Sequence, residues 1–121
     1  MATSRQELGK WGEVQAAKFL VENEYVILAR NYRTRYGEID LVAENNWGII
    51  FIEVKTRSST TFGMPETAIT SKKRDSILKS ALAYLQKHPE YDCDWRIDVI
   101  AIQCCNSKQT HITHFENAIT G

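Results

Sequence analysis

The sequence predicts an α/β protein in which helices flank a mixed β-sheet, in the element order α-β-β-β-α-β-β. Apolar residues recur with helical spacing in residues 5–22 and 71–88. Two apolar segments, 37–43 and 49–57, are joined by a short turn-forming link, which is typical of a β-hairpin. The second helix separates this hairpin from an apolar segment at 95–102, so the strands on either side of that helix are expected to be parallel neighbours.

Size and composition indicate one globular domain over residues 1–121. The 15 basic and 15 acidic residues give a formal net charge of +0, so any affinity for nucleic acid must come from local patches. This balance argues against a protein that coats DNA non-specifically. No apolar run approaches the ~18 residues of a membrane span, and residues 1–6 lack the apolar core of a signal peptide. We therefore expect a cytoplasmic protein with no membrane contact.

The first helix begins with a capping box formed by Ser4 and Glu7 and runs to about residue 22. One face is apolar or small, and it comprises Leu8, Gly12, Ala16, Phe19 and Leu20. Gly12 would allow the helix to approach the sheet closely. Glu13 lies about 90° from the centre of this face at ~100° per residue, so it can lean towards whatever the helix packs against. The alternative is a rim carboxylate in a surface ion pair.

A short apolar segment at 25–29 suits a first strand, and residues 30–37 form a polar link to the hairpin. The link contains three arginines and two tyrosines, among them Arg33 and Arg35. Arginines beside aromatic rings are typical of phosphate clamps with stacking platforms. A solvated hairpin edge explains the same residues equally well.

The hairpin carries charges within otherwise apolar strands. Strict alternation places Asp40 on the face of Glu38 and Val42, and Glu53 on the face of Lys55. If the hairpin closes about residues 46 and 47, Asp40 lies opposite Glu53. A shift of one residue would send the two acids to opposite faces.

Two carboxylates this close repel each other unless a cation lies between them. Mg²⁺ is held by one or two carboxylates together with water and substrate phosphate, and Lys55 would add a positive charge at the same place. Asp40, Glu53 and Lys55 together therefore indicate phosphodiester cleavage. Isolated, solvated strand charges are the alternative. The apolar run before Glu53 reads as a central strand, where an unpaired charge is costly, and this favours the functional interpretation.

The chain beyond the hairpin begins with a polar connection, 56–65, which is either a loop over substrate or a plain linker. Thr70 is a good N-cap for a helix over 71–88 that Pro89 stops. Its expected buried stripe comprises Ile77, Leu78, Ala81, Leu82 and Leu85. The first turn holds Lys72, Lys73 and Arg74, although the helix dipole disfavours cations there. This placement indicates phosphate binding, with a solvated charge run as the alternative.

The last two strands are expected at 95–102 and 110–115. Asp98 interrupts the first of them, and it either binds a basic residue of the fold or borders the candidate site; we favour the structural interpretation. His111 and His114 would face opposite sides of a strand, so a shared zinc ion is not expected. The three cysteines form no CxxC pair and are expected to be free thiols.

Taken together, Asp40 and the Glu53, Val54, Lys55 run resemble the PD-(D/E)xK motif of restriction-endonuclease-like nucleases, in particular the Holliday-junction-resolvase-like branch. The chain is most similar to the YraN-like family of small bacterial proteins, which are predicted endonucleases. Segments that carry this resemblance are 9–13, 31–33, 37–43, 51–57, 96–102 and 116–119. The proline that precedes the first aspartate in the superfamily pattern is absent here, where Glu38 and Ile39 precede Asp40.

The resemblance implies a restriction-endonuclease-like core and an endonuclease dependent on Mg²⁺ or Mn²⁺ that acts on DNA, with branched or damaged structures as candidate substrates. It implies that Asp40, Glu53, Glu13 and the Val54 backbone carbonyl hold the metal, and that Lys55 acts in catalysis with the acids. The nucleic-acid-binding residues would be Arg33, Arg35, Arg57 and Lys72, of which Lys72 matches a basic residue that recurs in the family.

Resolvases act as dimers, so a homodimer is a further expectation. Two other interpretations stay open. One is a non-catalytic nucleic-acid-binding or interaction module that keeps the nuclease fold, and the other is a structural protein without affinity for nucleic acid.

Overall fold

In the part of the chain that the structure describes, two helices and five strands follow one another in the predicted order. A computed structural model of the chain describes residues 5–57, 69–104 and 110–120. The elements are α1 (Arg5–Glu22), β1 (Val26–Thr34), β2 (Gly37–Glu44), β3 (Gly48–Arg57), α2 (Ser71–Lys87), β4 (Asp94–Cys104) and β5 (Thr110–Ile119). The order α-β-β-β-α-β-β and the mixed sheet flanked by helices are therefore confirmed.

The strands form one sheet in the order β1-β2-β3-β4-β5. β3 and β4 are parallel, as the intervening helix predicts, and the other neighbouring pairs are antiparallel. β3 is the central strand, and its first six residues are all buried. An apolar strand with neighbours on both sides and helices above and below is the setting in which a charged residue is most costly.

Each helix covers one face of the sheet. α1 contributes Ala16, Ala17 and Leu20 to a core that also contains Ile50 and Ile52, which we call the α1-side core. α2 contributes its buried residues to a second core that contains Ile49 and Phe51, which we call the α2-side core. Because side chains of β3 alternate between the two cores, Glu53 continues the row of Phe51 on the α2 side.

The buried face of α2 differs from the predicted stripe. Leu82 is 50% exposed, whereas Ser80 and Tyr84 are buried together with Ile77 and Ala81. Specific contacts explain the difference, since the Ser80 hydroxyl lies 2.8 Å from Thr34 Oγ1 and the Tyr84 ring packs edge-on against Phe51. The expected N-cap is confirmed, because Thr70 Oγ1 accepts from the Lys73 amide at 3.1 Å.

The prediction of a polar link at 30–37 is wrong, because β1 continues to Thr34 and pairs with β2 as far as Gly37. As an edge strand, β1 tolerates polar side chains that face solvent, and Arg30 and Arg33 are both exposed. Tyr32 in the same stretch packs on the α2-side core. Arg35 and Tyr36 are thus left as the turn between the two strands.

Some predictions fall on residues outside the described ranges. They are the capping Ser4, the connection from residue 58 onwards and Cys105, whereas Thr56 and Arg57 belong to β3. Cys93 and Cys104 are free thiols. Within the described ranges, neither helix has an apolar stretch long enough to cross a membrane.

Candidate active site

The candidate site lies where β2 and β3 cease to pair. The paired positions run from Glu44 with Ile49 to Leu41 with Ile52, which confirms the predicted register of the hairpin. Asp40 and Glu53 are the next residues in that register. The ladder does not continue between their backbones, because the Val54 amide donates instead to Asp40 Oδ2 at 2.8 Å. This bond fixes one carboxylate beside the other at the point where the strands separate.

The backbone around Asp40 departs from regular strand geometry. Ile39 and Val42 both belong to the α2-side core, although strict alternation would place residues three apart on opposite faces. Asn31, which lies between the pairs that β1 makes with Leu41 and Ile39, has a φ of 51°. The prediction that Asp40 lies on the same face as Val42 depends on regular alternation, which β2 does not keep here. The distortion allows the Asp40 side chain to reach the Val54 amide on β3.

Glu53 is a buried acid that is only partly satisfied. Its residue exposure is 5%. Oε1 lies 3.7 Å from Lys55 Nζ and 3.6 Å from Lys73 Nζ. Oε2 is buried and has no hydrogen-bond partner among the residues that the structure describes. A buried carboxylate oxygen without a partner is costly, and a cation at Oε2 would remove that cost.

The acids of the site all have raised pKa values. Burial and, after it, the nearby charge of Asp40 raise the pKa of Glu53 to about 7, against the opposing effects of Lys73 and Lys55. Burial likewise raises the pKa of Asp40, against the opposing effects of the Val54 amide and Lys73. Burial and then Asp40 raise the pKa of Glu13. Raised pKa values at neighbouring carboxyls mark a local deficit of positive charge, which a bound divalent ion would correct.

Glu13 reaches this site because α1 lies close against the end of β3. A Cβ atom on Gly12 would collide with the Thr56 side chain, which confirms the predicted close approach of the helix. The Asn31 amide lies between two carboxylates and, with its nitrogen turned towards them, donates to Glu13 Oε1 at 3.1 Å and Glu38 Oε1 at 2.9 Å. Asn31 thus ties the helix carboxylate to the edge of the sheet.

The basic residue that α2 brings to the acids is Lys73, whereas the sequence singled out Lys72. Lys72 is exposed on the outer side of the first turn. Helical spacing in the sequence distinguishes the two lysines. Lys73 lies four residues before Ile77 and therefore on the same face of the helix, whereas Lys72 does not lie on that face.

The three predicted nucleic-acid-binding arginines are all exposed. Arg33 has an 85% exposed side chain and pairs with Glu38 at 3.4 Å. Arg35 lies over the Tyr36 ring at 5.3 Å, and Arg57 is exposed at the end of β3. Their role in binding nucleic acid stays a prediction.

Asp98 does not belong to this site, in agreement with its interpretation as structural. Its fully buried carboxylate accepts from Arg96 Nε at 3.0 Å and the Asn117 amide at 2.8 Å, and lies 2.7 Å from His114 Nε2. Hydrogen bonds from His114 and Arg96 outweigh the effect of burial and lower its pKa. His111 is exposed, so the two histidines do not converge.

The donor set at Asp40 and Glu53 suits a hard cation. In the described part of the chain, no group of three or more His, Cys, Asp or Glu residues is placed to hold an ion by itself. Two carboxylates are what Mg²⁺ commonly takes from a protein, with water and phosphate oxygens filling the other positions. The unpartnered Oε2 of Glu53 makes the residues present a fit for such an ion.

Comparison with known proteins gives a family match over most of the chain. The model of the family described as "Uncharacterised protein family UPF0102" matches residues 12–102. A UPF0102 protein of Syntrophomonas wolfei subsp. wolfei is 46% identical over 113 residues, spanning 93% of this chain and 97% of the relative. One of Trichlorobacter lovleyi is 44% identical over 114 residues, spanning 93% and 90%. These matches confirm the family resemblance inferred from the motifs.

Two solved structures are also similar. One is the crystal structure of a repair endonuclease from Pyrococcus abyssi, with a TM-score of 0.47 and 13% identity over 89% of this chain and 41% of that one. The other is SfsA of Pyrococcus furiosus in complex with Ca²⁺, with a TM-score of 0.44 and 14% identity over 90% and 62%. The chain spans less than two thirds of either protein.

Proposed function

We propose that this chain, which belongs to the Uncharacterised protein family UPF0102, is a divalent-metal-dependent endonuclease that hydrolyses phosphodiester bonds in DNA. The observation that carries the proposal is the Glu53 carboxylate, which is buried on the central strand, lies beside Asp40 and has one oxygen without a partner. A structural role would require that both oxygens be satisfied, since an unsatisfied buried charge destabilises the fold.

Asp40 and Glu53 would hold Mg²⁺ or Mn²⁺ together with the Val54 backbone carbonyl, and Glu13 would complete or orient the site. The ion, when bound, would polarise a phosphoryl oxygen and lower the pKa of a bound water. The Val54 amide keeps Asp40 Oδ2 in place at 2.8 Å, so the carboxylate is oriented before any ligand arrives. Such prior orientation is what a metal site on rigid strands requires.

Lys55 and Lys73 would act on the substrate. Their ammonium groups both lie on the Oε1 side of Glu53, at 3.7 and 3.6 Å, and so leave Oε2 available for the ion. Lys55, whose side chain is 28% exposed, would position the attacking water or stabilise charge that develops on the phosphate. Lys73, with a 40% exposed side chain at the first turn of α2, would bind a non-bridging phosphate oxygen.

The second candidate is a non-catalytic nucleic-acid-binding module. The observation in its favour is that two lysines already lie within 3.7 Å of Glu53, so the chain supplies positive charge to its acids without a metal. This candidate predicts DNA binding that falls steeply with salt and is indifferent to Mg²⁺ and to Glu53→Ala.

The deciding experiment is calorimetric titration of Mn²⁺ and then Mg²⁺ into the wild type, Glu53→Gln and the control Glu44→Gln, each with and without a short DNA duplex. Glu44 is the last residue of β2 and lies four residues beyond Asp40, or ~13 Å at ~3.3 Å per strand residue, so its change leaves the site intact. We expect metal binding by the wild type and Glu44→Gln, its loss in Glu53→Gln, and Mg²⁺-dependent cleavage of plasmid or branched DNA that follows the same pattern. Absence of metal binding by the wild type under both conditions would refute the endonuclease proposal.

A further inference from the structure

A second concave surface lies between the β1–β2 turn and the second half of α2. It encloses a cavity of about 360 Å³, at the low end of the range for small-molecule sites. Its lining includes Arg33, Arg35, Tyr36, Gln86 and Lys87. None of the described residues that line it is acidic. We call it the turn pocket.

The turn that forms one wall is held rigidly against α2. Thr34 Oγ1 lies 2.8 Å from the Ser80 hydroxyl and accepts from the Tyr36 amide at 3.1 Å. The Ser76 hydroxyl donates to the Tyr36 carbonyl. Gly37 has a φ of 144° and no room for a Cβ atom beside Ser76, so the turn sits as close to the helix as its backbone allows.

The Tyr36 side chain is partly exposed although its backbone is fixed. The residue is 43% exposed. The Arg35 guanidinium lies over the ring at 5.3 Å from its centroid, and Lys79 Nζ lies over it at 6.0 Å. An exposed aromatic ring combined with cations that contact its π-face is what proteins use to stack a base while binding the adjoining phosphates.

We propose that the turn pocket binds an unpaired nucleotide, with the base stacked on Tyr36 and the adjoining phosphates on Arg35 and Lys87. The Gln86 amide lines the same cavity and can donate to or accept from the edge of the base. The inference rests on the proposed function in taking the ligand to be DNA. It goes further by assigning the substrate class, which is DNA with a single-stranded segment.

The size and chemistry of the turn pocket select an unpaired base. In a duplex the base faces are covered by stacked neighbours, so no base face within it is available to stack on a protein ring. A cavity of about 360 Å³ admits a single base and excludes a duplex. A surface for duplex phosphates needs neither the cavity nor an exposed ring.

The turn pocket is also close enough to the acids for one strand to contact both. Gly37, which follows the turn, lies three residues before Asp40 on β2, or ~10 Å at ~3.3 Å per strand residue. Both features lie against α2, with Lys73 at its start and Lys87 at its end. A single strand held in the turn pocket would therefore be led towards Glu53.

The test is fluorescence anisotropy in the presence of EDTA with three labelled probes: a short single strand, its duplex, and the same strand with abasic positions. The proteins are the wild type, Tyr36→Ala, Tyr36→Phe and the control Trp47→Ala. Trp47 is a matched control because it is 45% exposed and lies over the Arg96 guanidinium at 4.8 Å, but in the β2–β3 turn. Circular dichroism verifies that each variant is folded.

We expect the wild type to bind the single strand more tightly than the duplex or the abasic strand. Tyr36→Ala should weaken single-strand binding about 5- to 150-fold, the range for loss of one stacked base. Tyr36→Phe and Trp47→Ala should keep the wild-type affinity. Lys87→Gln should lower the salt dependence by about one phosphate contact, whereas Lys18→Gln, on the exposed side of α1, should not.

Equal affinity for single strand and duplex, or wild-type affinity in Tyr36→Ala, would overturn the proposal. Because the assay contains no divalent ion, its outcome is separate from that of the metal titration. Binding that depends on Tyr36 in a protein that binds no metal would support the turn pocket and refute the endonuclease. Metal binding without a preference for single strands would refute the turn pocket and leave the endonuclease standing.

Discussion

The Val54 amide donates to Asp40 Oδ2 at 2.8 Å, in the place where regular β2–β3 pairing ends. One side chain thereby satisfies a backbone group that the departing strand leaves free, and the same contact orients an acid beside Glu53. The end of regular strand pairing and the orientation of the acid thus share one hydrogen bond.

Replacement of Asp40 by Asn keeps an oxygen for the Val54 amide and removes the charge. We expect the pKa of Glu53 to fall from about 7 towards its ordinary value, because the Asp40 charge is the second cause of the rise after burial. Carboxyl-detected NMR titration measures this directly. Glu38→Gln is the control and should leave the pKa of Glu53 in place. If the pKa of Glu53 is the same in Asp40→Asn as in the wild type, the two acids do not interact electrostatically.

Lys73→Gln should raise the pKa of Glu53 further, since the Lys73 charge and its hydrogen bond both lower it. Lys72→Gln should have no such effect, because Lys72 is exposed on the outer side of the helix. The same NMR titration compares the two variants, which differ by one position in the first turn of α2. A larger response to Lys72→Gln would contradict the orientation of α2 described above.

Stability without metal should decrease as the pH rises from about 4.5 to about 7. The folded protein binds the Glu53 proton more tightly than the unfolded chain does, since the pKa rises from 4.5 to about 7, so unfolding releases a proton between these values. Asp40 and Glu13, whose pKa values are also raised, act in the same direction. Asp98 acts oppositely and only below this window, because its pKa is lowered from 3.8.

Urea unfolding at several pH values in EDTA measures this dependence. Glu53→Gln should flatten the curve, and saturating Mg²⁺ should stabilise the wild type most at the alkaline end, where both acids are ionised. If the free energy of unfolding of the wild type in EDTA instead rose between pH 4.5 and about 7, the prediction would be wrong. The folded protein would then not hold the Glu53 proton more tightly than the unfolded chain does.

Gly12→Ala tests the contact between α1 and β3. The added Cβ collides with the Thr56 side chain, and such overpacking costs about 1 to 3 kcal/mol, against roughly 1 kcal/mol gained in helix propensity. Gly9→Ala is the matched control on the same helix, with open space around the new atom, and should be neutral or stabilising. Urea midpoints compare the two. Equal midpoints would mean that α1 can shift without penalty.

Asp98→Asn should lower the free energy of unfolding by about 3 to 5 kcal/mol, because it removes the charge that the buried Arg96 side chain faces. Asp94→Asn, at the exposed start of the same strand, should be near neutral. The pKa of Glu53 should be unaffected by either change, since Asp98 lies outside the site. Denaturant unfolding measures the loss of stability, and NMR titration measures the pKa of Glu53. A large loss of stability with an unchanged pKa of Glu53 would identify Asp98 as a structural residue outside the site.

The sequence predicts the elements and the hairpin register well because both follow from local rules. A short turn after residue 44 leaves few ways to pair 37–43 with 49–57, and the apolar run before Glu53 requires burial on both faces. The sequence therefore predicts that Asp40 lies opposite Glu53, and the observed register of β2 and β3 agrees with this prediction.

Features that depend on tertiary contacts were not predictable in the same way. The length of β1 depends on its position at the sheet edge, which lets polar residues continue the strand to Thr34. The choice between Lys72 and Lys73 depends on the rotation of α2, which Ser80 and Tyr84 set through contacts with other elements. The left-handed backbone conformation of Asn31 depends on the distorted pairing near Asp40. The periodicity of apolar residues in the sequence contains no sign of it.

The strands lie in the sheet in the order in which they occur along the chain. Each strand therefore joins the edge left by its predecessor, and contacts between segments close in sequence favour rapid folding. β3 gains its second neighbour only after the crossover through α2, because β4 follows that helix in the chain. Glu53 lies on the α2 side of β3, so packing of α2 on the sheet both covers this carboxylate and brings Lys73 to within 3.6 Å of it. The helix that removes water from the acid therefore also supplies one of the charges that compensate for the loss.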